Sequence, residues 1–312
     1  MKSILGLSAL ALAVLLPALP AEPCCMVPRD YKGTISQSAQ EAALFWHDGK
    51  QDLILKINYK ITGAAMPDRF AWIITVPNEP EAYATADPKF FEELFAWADP
   101  LLHPPARGTK GEPAPGADRA DLEFGKRVQV GPYDIQPVRA LGKEALAGLN
   151  DWLGKNGFPT EDPDHMAYFV EKKFTFLCVK VSPPAGEKTV APAAGLPPLH
   201  LTFRTPQPYY PLRFSSRQGV FDVNLYVFTR TPFDYAASGD SLRRINWKDA
   251  RTLKDVEVDV SSFPKLLKEA RARGAFKDLG GAWRLNVLRG SQVNKDNAIS
   301  TWTEDIFFKT RG

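Results

Sequence analysis

The stretch ALFWHDGKQDLILKINYKI, residues 43–61, determines the fold class that this sequence predicts. Apolar side chains occupy every second position from Leu53 to Ile61, and most of the residues between them are polar. This period of two is typical of a β-strand with one buried and one exposed face. Before it, the dipeptide Asp48-Gly49 separates two such runs and tolerates the positive φ angles of a tight hairpin turn. The stretch therefore predicts an antiparallel β-hairpin.

Further β-strands are predicted along the rest of the chain, with helices between some of them. The segments RFAWIITVP and FTFLCVKV are apolar on both faces, as expected for central strands. Helices are predicted at residues 87–98, 142–159 and 261–274, and the first two carry an apolar stripe. Strands outnumber helices and do not alternate regularly with them, which argues against a doubly wound fold. We therefore expect an α+β fold with a mainly antiparallel, sandwich-like β-sheet and about three helices.

The first 21 residues have the composition of a secretory signal peptide. Lys2 gives a basic start, residues 4–16 form an unbroken run of small or apolar residues, and residues 18–21 offer small residues for cleavage. The run is too short for a comfortable membrane span, which needs about 20 apolar residues, and no later run is as long. We therefore expect residues 22–312 to be a single exported β-rich domain. This domain should be soluble and without a membrane span. Its location should be extracytoplasmic, either periplasmic or secreted.

The charge balance and the motif content exclude several classes of function. The chain has 39 Lys and Arg residues against 36 Asp and Glu, with no run of more than two basic residues, so nucleic-acid binding is not expected. The sequence contains no glycine-rich phosphate loop, no nucleophile-elbow serine motif and no zinc-binding histidine motif. We therefore expect no cofactor.

The segment TEDPDHMAYF contains the densest group of residues able to bind a metal ion. Glu161, Asp162, Asp164 and His165 lie within five residues and could offer carboxylates and an imidazole to one ion. The alternative is the start of a helix, where Asp is a favoured N-cap, acidic side chains suit the first turn and proline is tolerated. His200, on the polar face of a predicted strand, could also support a site. We keep Asp162, Asp164, His165 and His200 as weak ligand or metal candidates and assign no catalytic residue.

Seven tryptophans are compatible with carbohydrate binding, because flat aromatic faces can stack on sugar rings. Trp72 and Trp152 fall on predicted core positions, whereas Trp46, Trp247 and Trp302 are less clearly inside. Core packing is the commoner role for such residues, and we favour it. A cell-wall carbohydrate binder stays open as an alternative.

The three cysteines, Cys24, Cys25 and Cys178, would meet an oxidising compartment after export, where disulfides form by default. A bond between the adjacent Cys24 and Cys25 is strained, because their Cα atoms lie about 3.8 Å apart while disulfides need roughly 4.4 to 6.8 Å. Cys178 lies in a predicted central strand, beside which the N-terminal arm could be fastened. We predict a Cys25–Cys178 disulfide, with Cys24–Cys178 as second choice, and one free thiol. Pro23 before Cys24 argues against a lipid anchor.

Several segments occur in an order that resembles a known family: SAQEAALFWHDG, FAWIITVPNEP, LNDWLGKNGFP, YFVEKKFTFLCVKV, PPLHLTF and YYPLRF. Together they are similar to the exported bacterial proteins grouped as domain of unknown function 2330. The resemblance covers residues 24–229 and rests on the order of the motifs, and residues 230–312 then form a C-terminal extension. It implies an exported envelope protein and supplies no catalytic residues.

We therefore expect an exported cell-envelope protein that acts as a non-enzymatic binding or scaffolding module. Its partner would be an envelope protein or a glycan. Two alternatives stay open. One is an extracytoplasmic metal-dependent or hydrolytic enzyme that uses Asp164 and His165, and the other is the carbohydrate binder described above.

Overall fold

The structure is a computed structural model, and it describes residues 24–102, 127–139, 143–245, 247, 255–272 and 281–311. The predicted signal peptide lies outside the described residues. The strands are, in chain order, β1 (Cys25–Met26), β2 (Gly33–His47), β3 (Lys50–Gly63), β4 (Phe70–Val76), β5 (Ala82–Thr85), β6 (Val128–Val130), β7 (Tyr133–Arg139), β8 (Thr175–Val181), β9 (Leu199–Arg204), β10 (Tyr209–Tyr210), β11 (Asp222–Thr229), β12 (Phe233–Asp234), β13 (Val256–Asp259), β14 (Ala282–Gly290), β15 (Ile306–Phe307) and β16 (Lys309–Thr310). The helices are α1 (Phe90–Leu102), α2 (Lys143–Lys155), α3 (Pro163–Glu171), α4 (Asp240–Arg244) and α5 (Lys265–Ala272).

The predicted hairpin lies at the centre of the larger sheet. β2 and β3 pair antiparallel around Asp48 and Gly49, whose φ angles are 49° and 73°. Positive φ at both central residues is the geometry of a two-residue turn that follows the natural twist of the strands. A bulge between Gln37 and Ala39 interrupts the register once. The hairpin prediction from the sequence is therefore confirmed.

Seven strands form the large sheet, in the order β13-β14-β11-β2-β3-β9-β5. All neighbouring strands run antiparallel except one pair. In that pair, β11 lies parallel to β2, with Asp222 opposite Ala39. β14 pairs with both β11 and β13 in the interior of this sheet. The part that the sequence predicts as a C-terminal extension therefore shares a sheet with the family-like region.

Five antiparallel strands form the second sheet, in the order β1-β4-β8-β7-β6. Every residue of β4 is buried, and so are all but one of β8, which agrees with the prediction of two central strands. Two further pairs, β10 with β15 and β12 with β16, attach the C-terminal segment to the body of the protein.

Side chains from both sheets meet in one apolar core. Leu53, Leu55 and Ile57 lie on one face of β3 within this core, and Leu55 is buried as predicted. Burial of one such side chain stabilises the fold by about 2 kcal/mol. Leu149 of α2 and Phe169 of α3 belong to the same cluster, so these two helices cover the core on the side of the second sheet.

Helices α1 and α5 cover the other face of the large sheet. A second apolar cluster joins Ile54 of β3 to Phe91 and Leu94 of α1 and to Leu267 of α5. The sequence predicts an exposed face for β3 here, but Ile54 and Lys56 are both buried. The alternation within the strand could not reveal this cover, because it comes from helices that lie elsewhere in the sequence.

The predicted α+β, mainly antiparallel class is confirmed, but the described part of the chain contains more than three helices. α1, α2 and α5 overlap the three predicted helical segments. α3 begins at Pro163, in the acidic segment for which a helix start was one of two interpretations, and α4 is a short additional helix. Within the described ranges, no helix is long and apolar enough to cross a membrane.

Candidate functional site

Asp162 caps the N-terminus of α3. Its side chain accepts a hydrogen bond from the backbone N–H of Asp164 at 2.9 Å, and Pro163 occupies the first turn. Asp162 also pairs with Arg217, with 2.8 Å between the carboxylate and the guanidinium. The hydrogen bond from Arg217 and then that from the Asp164 N–H lower the pKa of Asp162. Asp162 thus acts as a helix cap and as a partner in a surface ion pair.

Asp164 and His165 are adjacent in the first turn of α3 but have different environments. Asp164 is exposed and His165 is buried, so the structure does not bring the two side chains together. The pair that we considered for a metal-dependent or hydrolytic enzyme is not formed. Among the residues that the structure describes, no group of three His, Cys, Asp or Glu side chains could hold a metal ion.

His165 instead lies between Glu161 and Ser216. Its Nδ1 is 2.8 Å from Glu161 Oε2, and its Nε2 is 3.3 Å from Ser216 Oγ. The imidazole stacks on the ring of Phe214, with 4.5 Å between the ring centres. All three polar residues are buried. A carboxylate, an imidazole and a hydroxyl therefore form a continuous hydrogen-bonded chain below the surface.

Three separate segments of the protein position Glu161, His165 and Ser216. Asn150 of α2 holds the backbone of Glu161 through two hydrogen bonds, of 2.7 and 3.0 Å. The histidine is carried by α3. Ser216 lies in the 3-10 turn at residues 213–217, and its carbonyl accepts a hydrogen bond from Asn294 at 2.7 Å. The side chains of Asn150 and Asn294 hydrogen-bond to the backbone of Glu161 and Ser216, respectively. The positions of these two residues therefore do not depend on one flexible side chain.

His200 lies in a second buried polar group, within the large sheet. Its Nε2 is 3.0 Å from Asp52 Oδ1, and the hydroxyl of Thr202 donates a hydrogen bond to the same oxygen. The sequence places His200 on an exposed polar face, but the residue is buried because helices cover this face of the sheet. His165 and His200 have different partners, so the structure does not unite them in one site.

The three cysteines are buried free thiols. β4 lies between β1, which carries Cys25, and β8, which carries Cys178. Two strand spacings amount to about 10 Å, which exceeds the span of a disulfide. The structure therefore contains neither the predicted Cys25–Cys178 bond nor the Cys24–Cys178 bond, because the N-terminal arm adds to β4 and not to β8. Burial raises the pKa of Cys25 and of Cys178 above the usual range of a thiol.

An open groove lies on the outer face of the large sheet, beside α1. Its volume is about 640 Å³. Side chains of β2, β3 and β11 form its floor, and α1 and the 3-10 turn at residues 193–195 contribute its walls. The lining residues are Glu41, Lys56, Asn58, Pro88, Lys89, Phe91, Glu92, Phe95, Ala194, Asn224, Tyr226 and Arg289.

The groove combines charged groups with one exposed aromatic ring. Phe95 is 48 % exposed, and the guanidinium of Arg289 lies 4.9 Å from the centre of its ring. Lys56 and Lys89 supply positive charge, and Arg289 is paired with Asp99 at 3.3 Å. Burial raises the pKa of Tyr226 to about 12, further above neutral pH than the ordinary value of a tyrosine. The groove therefore offers a ligand an apolar contact, cations and hydrogen-bond donors.

The tryptophans form no exposed platform. All seven lie in the described part of the chain, and none of them is exposed. The buried ones are Trp72, Trp283 and Trp302, and the half-buried ones are Trp46, Trp97, Trp152 and Trp247. The tryptophan surface that we considered for a carbohydrate binder is therefore not present.

Two sheets around a shared core, with helices on the outer face of the larger one, define a β-rich α+β protein. The model of a bacterial family, described as an uncharacterized protein conserved in bacteria (DUF2330), matches residues 18–276. Because this match covers most of the chain, the chain belongs to that family. The resemblance found in the sequence is confirmed, and the match extends beyond residue 229, where the resemblance was predicted to end.

Among solved structures, the chain is similar to baculovirus P35, at 11 % identity, with 92 % of this chain and 100 % of that chain covered and a TM-score of 0.42. The caspase-8/P35 complex gives 10 % identity, coverage of 83 % and 91 %, and a TM-score of 0.39. These values are too low to support an inference about function. No curated protein matches the chain.

Two members of the buried polar groups were not found from the sequence. Ser216 is far from His165 along the chain, in a turn without a recognisable motif. Asp52 occupies a polar position in the hairpin pattern, and such a position indicates an exposed side chain. Its contact with His200 becomes evident only once β3 is known to pair with β9. In both cases the missing information is which distant segments meet.

Proposed function

We propose that the chain is an exported protein of the bacterial cell envelope and that it acts as a binding or scaffolding module, with its partner in the groove. Membership of a bacterial family supports the bacterial setting, and the N-terminal sequence supports export. The groove between α1 and the large sheet is the single observation that carries the binding role.

The lining of the groove favours an acidic polypeptide segment of an envelope protein as the partner. Arg289 is already paired with Asp99 at 3.3 Å, so the exposed Lys89 at the rim is the main attraction for a ligand with negative charge. Phe95 offers an exposed apolar contact at the rim. The polar floor can form hydrogen bonds with a peptide backbone. A glycan would gain less from the cations, and it is the second candidate.

Export is tested by fractionation of cells that produce the full chain. We expect the protein in the extracytoplasmic fraction, with Glu22 at its N-terminus after removal of residues 1–21. A variant without residues 1–21 is the matched control and should remain in the cytoplasm. Recovery of the uncleaved full chain from the cytoplasm would contradict the proposal.

The groove is tested with a photoreactive amino acid at position 95 in living cells. Phe95 and Val220 are large exposed hydrophobic residues, at 48 % and 52 %, and only Phe95 lines the groove. We expect a cross-linked adduct from position 95 and none from position 220. Lys89→Glu reverses one exposed charge of the groove and should reduce the yield from position 95 about fivefold, equivalent to about 1 kcal/mol of binding free energy.

Mass spectrometry of the adduct identifies the class of partner. An acidic peptide supports the proposal, whereas a glycan adduct would support the cell-wall carbohydrate alternative. Equal yields from positions 95 and 220, or no yield from position 95, would show that the groove does not bind a partner.

A further inference from the structure

We propose that Glu161, His165 and Ser216 form a hydrolytic site in which Ser216 is the nucleophile and esters of small acyl groups are the substrates. This inference goes beyond the proposed binding role. It concerns another part of the molecule, since none of the three residues lines the groove.

The three side chains have the connectivity of an activated serine. His165 Nε2 lies 3.3 Å from Ser216 Oγ, a separation found in such pairs before a substrate binds. His165 Nδ1 lies 2.8 Å from Glu161 Oε2. When Nδ1 carries the proton towards the carboxylate, Nε2 can accept the hydroxyl proton of Ser216. Stacking on Phe214 fixes the plane of the imidazole.

The burial of Glu161 argues for more than a structural contact. Its side chain is fully buried, and Oε1 has no hydrogen-bond partner among the described residues. A buried carboxylate with one unsatisfied oxygen destabilises the fold. The Glu161 carboxylate is stabilised when His165 takes up a proton, because the carboxylate then faces a positive charge at 2.8 Å. A neutral contact between hydroxyl and imidazole would not need this carboxylate.

Ser216 lies just below the surface. It is 7 % exposed, and the next residue, Arg217, is half-buried and pairs with the exposed Asp162 at the start of α3. Because so little of the hydroxyl is exposed, a bulky acyl group would have to displace the turn, whereas a small acyl group would disturb it least. The position of Ser216 is therefore the reason for assigning small acyl esters as the substrate class.

The reaction requires only water as the second reactant. Ser216 Oγ bonds to the acyl carbon while its proton passes to His165 Nε2. The ester C–O bond breaks, and the leaving alcohol takes up that proton. Water then attacks the acyl-serine and gives a proton to Nε2, which returns it to Ser216 Oγ as the carboxylic acid leaves. One ester and one water thus become one carboxylic acid and one alcohol.

An alkyl fluorophosphonate tests the nucleophile in the mature chain. Ser216 Oγ would form a bond to phosphorus, and fluoride would leave with the hydroxyl proton as hydrogen fluoride. We expect one adduct per chain, located at Ser216 by mass spectrometry. Ser216→Ala should abolish the adduct, and His165→Gln should slow its formation about 100-fold. Ser215→Ala is the matched control and should react at the wild-type rate, because the Ser215 hydroxyl contacts Gln40 instead.

The pH dependence separates a catalytic from a structural role for His165. The labelling rate of the wild-type chain should depend on pH, and this dependence should be absent in His165→Gln. Nitrophenyl acetate should be hydrolysed at least about tenfold faster than nitrophenyl octanoate. Hydrolysis of both esters at equal rates would overturn the assignment of small acyl groups.

The absence of any adduct on the wild-type chain, or an adduct on another residue, would overturn the proposal. So would wild-type labelling of His165→Gln when circular dichroism shows that this variant is folded. If His165→Gln does not fold, the position of the wild-type adduct and its pH profile decide. Ser216→Ala should leave cross-linking from position 95 unchanged, so failure of this inference is distinguishable from failure of the proposed binding role.

Discussion

Asp305 connects segments that are far apart in the sequence. Its Oδ1 accepts hydrogen bonds from the backbone N–H groups of Leu212 and Arg213, at 2.8 and 2.9 Å, and its Oδ2 accepts one from the Tyr209 hydroxyl at 2.7 Å. Its own N–H donates to the hydroxyl of Tyr168 on α3. Burial raises the pKa of Asp305, although these hydrogen bonds oppose the rise. The residue therefore attaches the C-terminal segment to β10 and α3.

Replacement of Asp305 by alanine should lower the free energy of unfolding by about 3 to 5 kcal/mol, because several buried donors lose their acceptor at once. Urea unfolding followed by circular dichroism measures this loss. Asp30→Ala, at an exposed turn residue, is the control and should change the free energy by less than about 0.5 kcal/mol. A loss below about 1 kcal/mol for Asp305→Ala would mean that other contacts hold the C-terminal segment.

Single residues were predictable where a local pattern determines their environment. Leu55 follows the alternation of β3 and is buried as predicted. Ser216 and Asp305 acquire their environments from segments far away in the chain, for which one sequence carries no signal. His200 illustrates the same limit, because its strand face is polar by pattern but lies under helices that the pattern does not place.

At the scale of elements, a charged pair joins β7 to β8. Asp134 of β7 lies opposite Lys180 of β8, with 3.0 Å between the charged groups, and Arg127 binds both oxygens of the same carboxylate. Burial opposes the ionisation of Asp134, but hydrogen bonds from Arg127 and Lys180 outweigh burial and lower the pKa. A carboxyl whose pKa is lower in the folded chain stabilises the fold above its unfolded pKa, about 3.9, and this contribution is lost as the pH falls through the folded value.

We expect Asp134→Asn to lower the free energy of unfolding by about 1 kcal/mol at pH 7, and this loss should shrink as the pH falls through the lowered pKa of the folded Asp134. Lys180→Met should raise the pKa of Asp134 and move the acid limb of the stability curve to higher pH. Urea unfolding at pH values from 2 to 7 measures both effects. If the loss caused by Asp134→Asn were equal at every pH, the residue would contribute by packing and not by charge.

The existence of strands was more predictable than their pairing. The hairpin of β2 and β3 follows from alternation and from the Asp48-Gly49 turn, and β4 and β8 follow from apolar runs. The pairing of β1 with β4, which separates Cys25 from Cys178, was not predictable. β4 and β8 are both apolar central strands, so the choice between them depends on how the N-terminal arm packs and not on the local sequence.

At the scale of the whole molecule, residues beyond Thr229 complete the large sheet. A chain that ended there would leave β11 as an unpaired edge and would remove Trp283 and Leu285 from the second apolar cluster. We expect residues 22–312 to unfold cooperatively in urea and residues 22–229 to show no cooperative transition by circular dichroism. A cooperative transition of the shorter chain would establish residues 230–312 as a separate unit.

The parallel pairing of β2 with β11 has a consequence for the timing of folding. Asp222 lies opposite Ala39, so this contact closes a very long loop of chain. Loop closure loses conformational entropy before the distant contact can compensate, and folds with many distant pairings therefore form slowly. The large sheet cannot assemble until β11 has been synthesised. Such a delay would suit the proposed export, because a chain has to remain unfolded while it is threaded across a membrane.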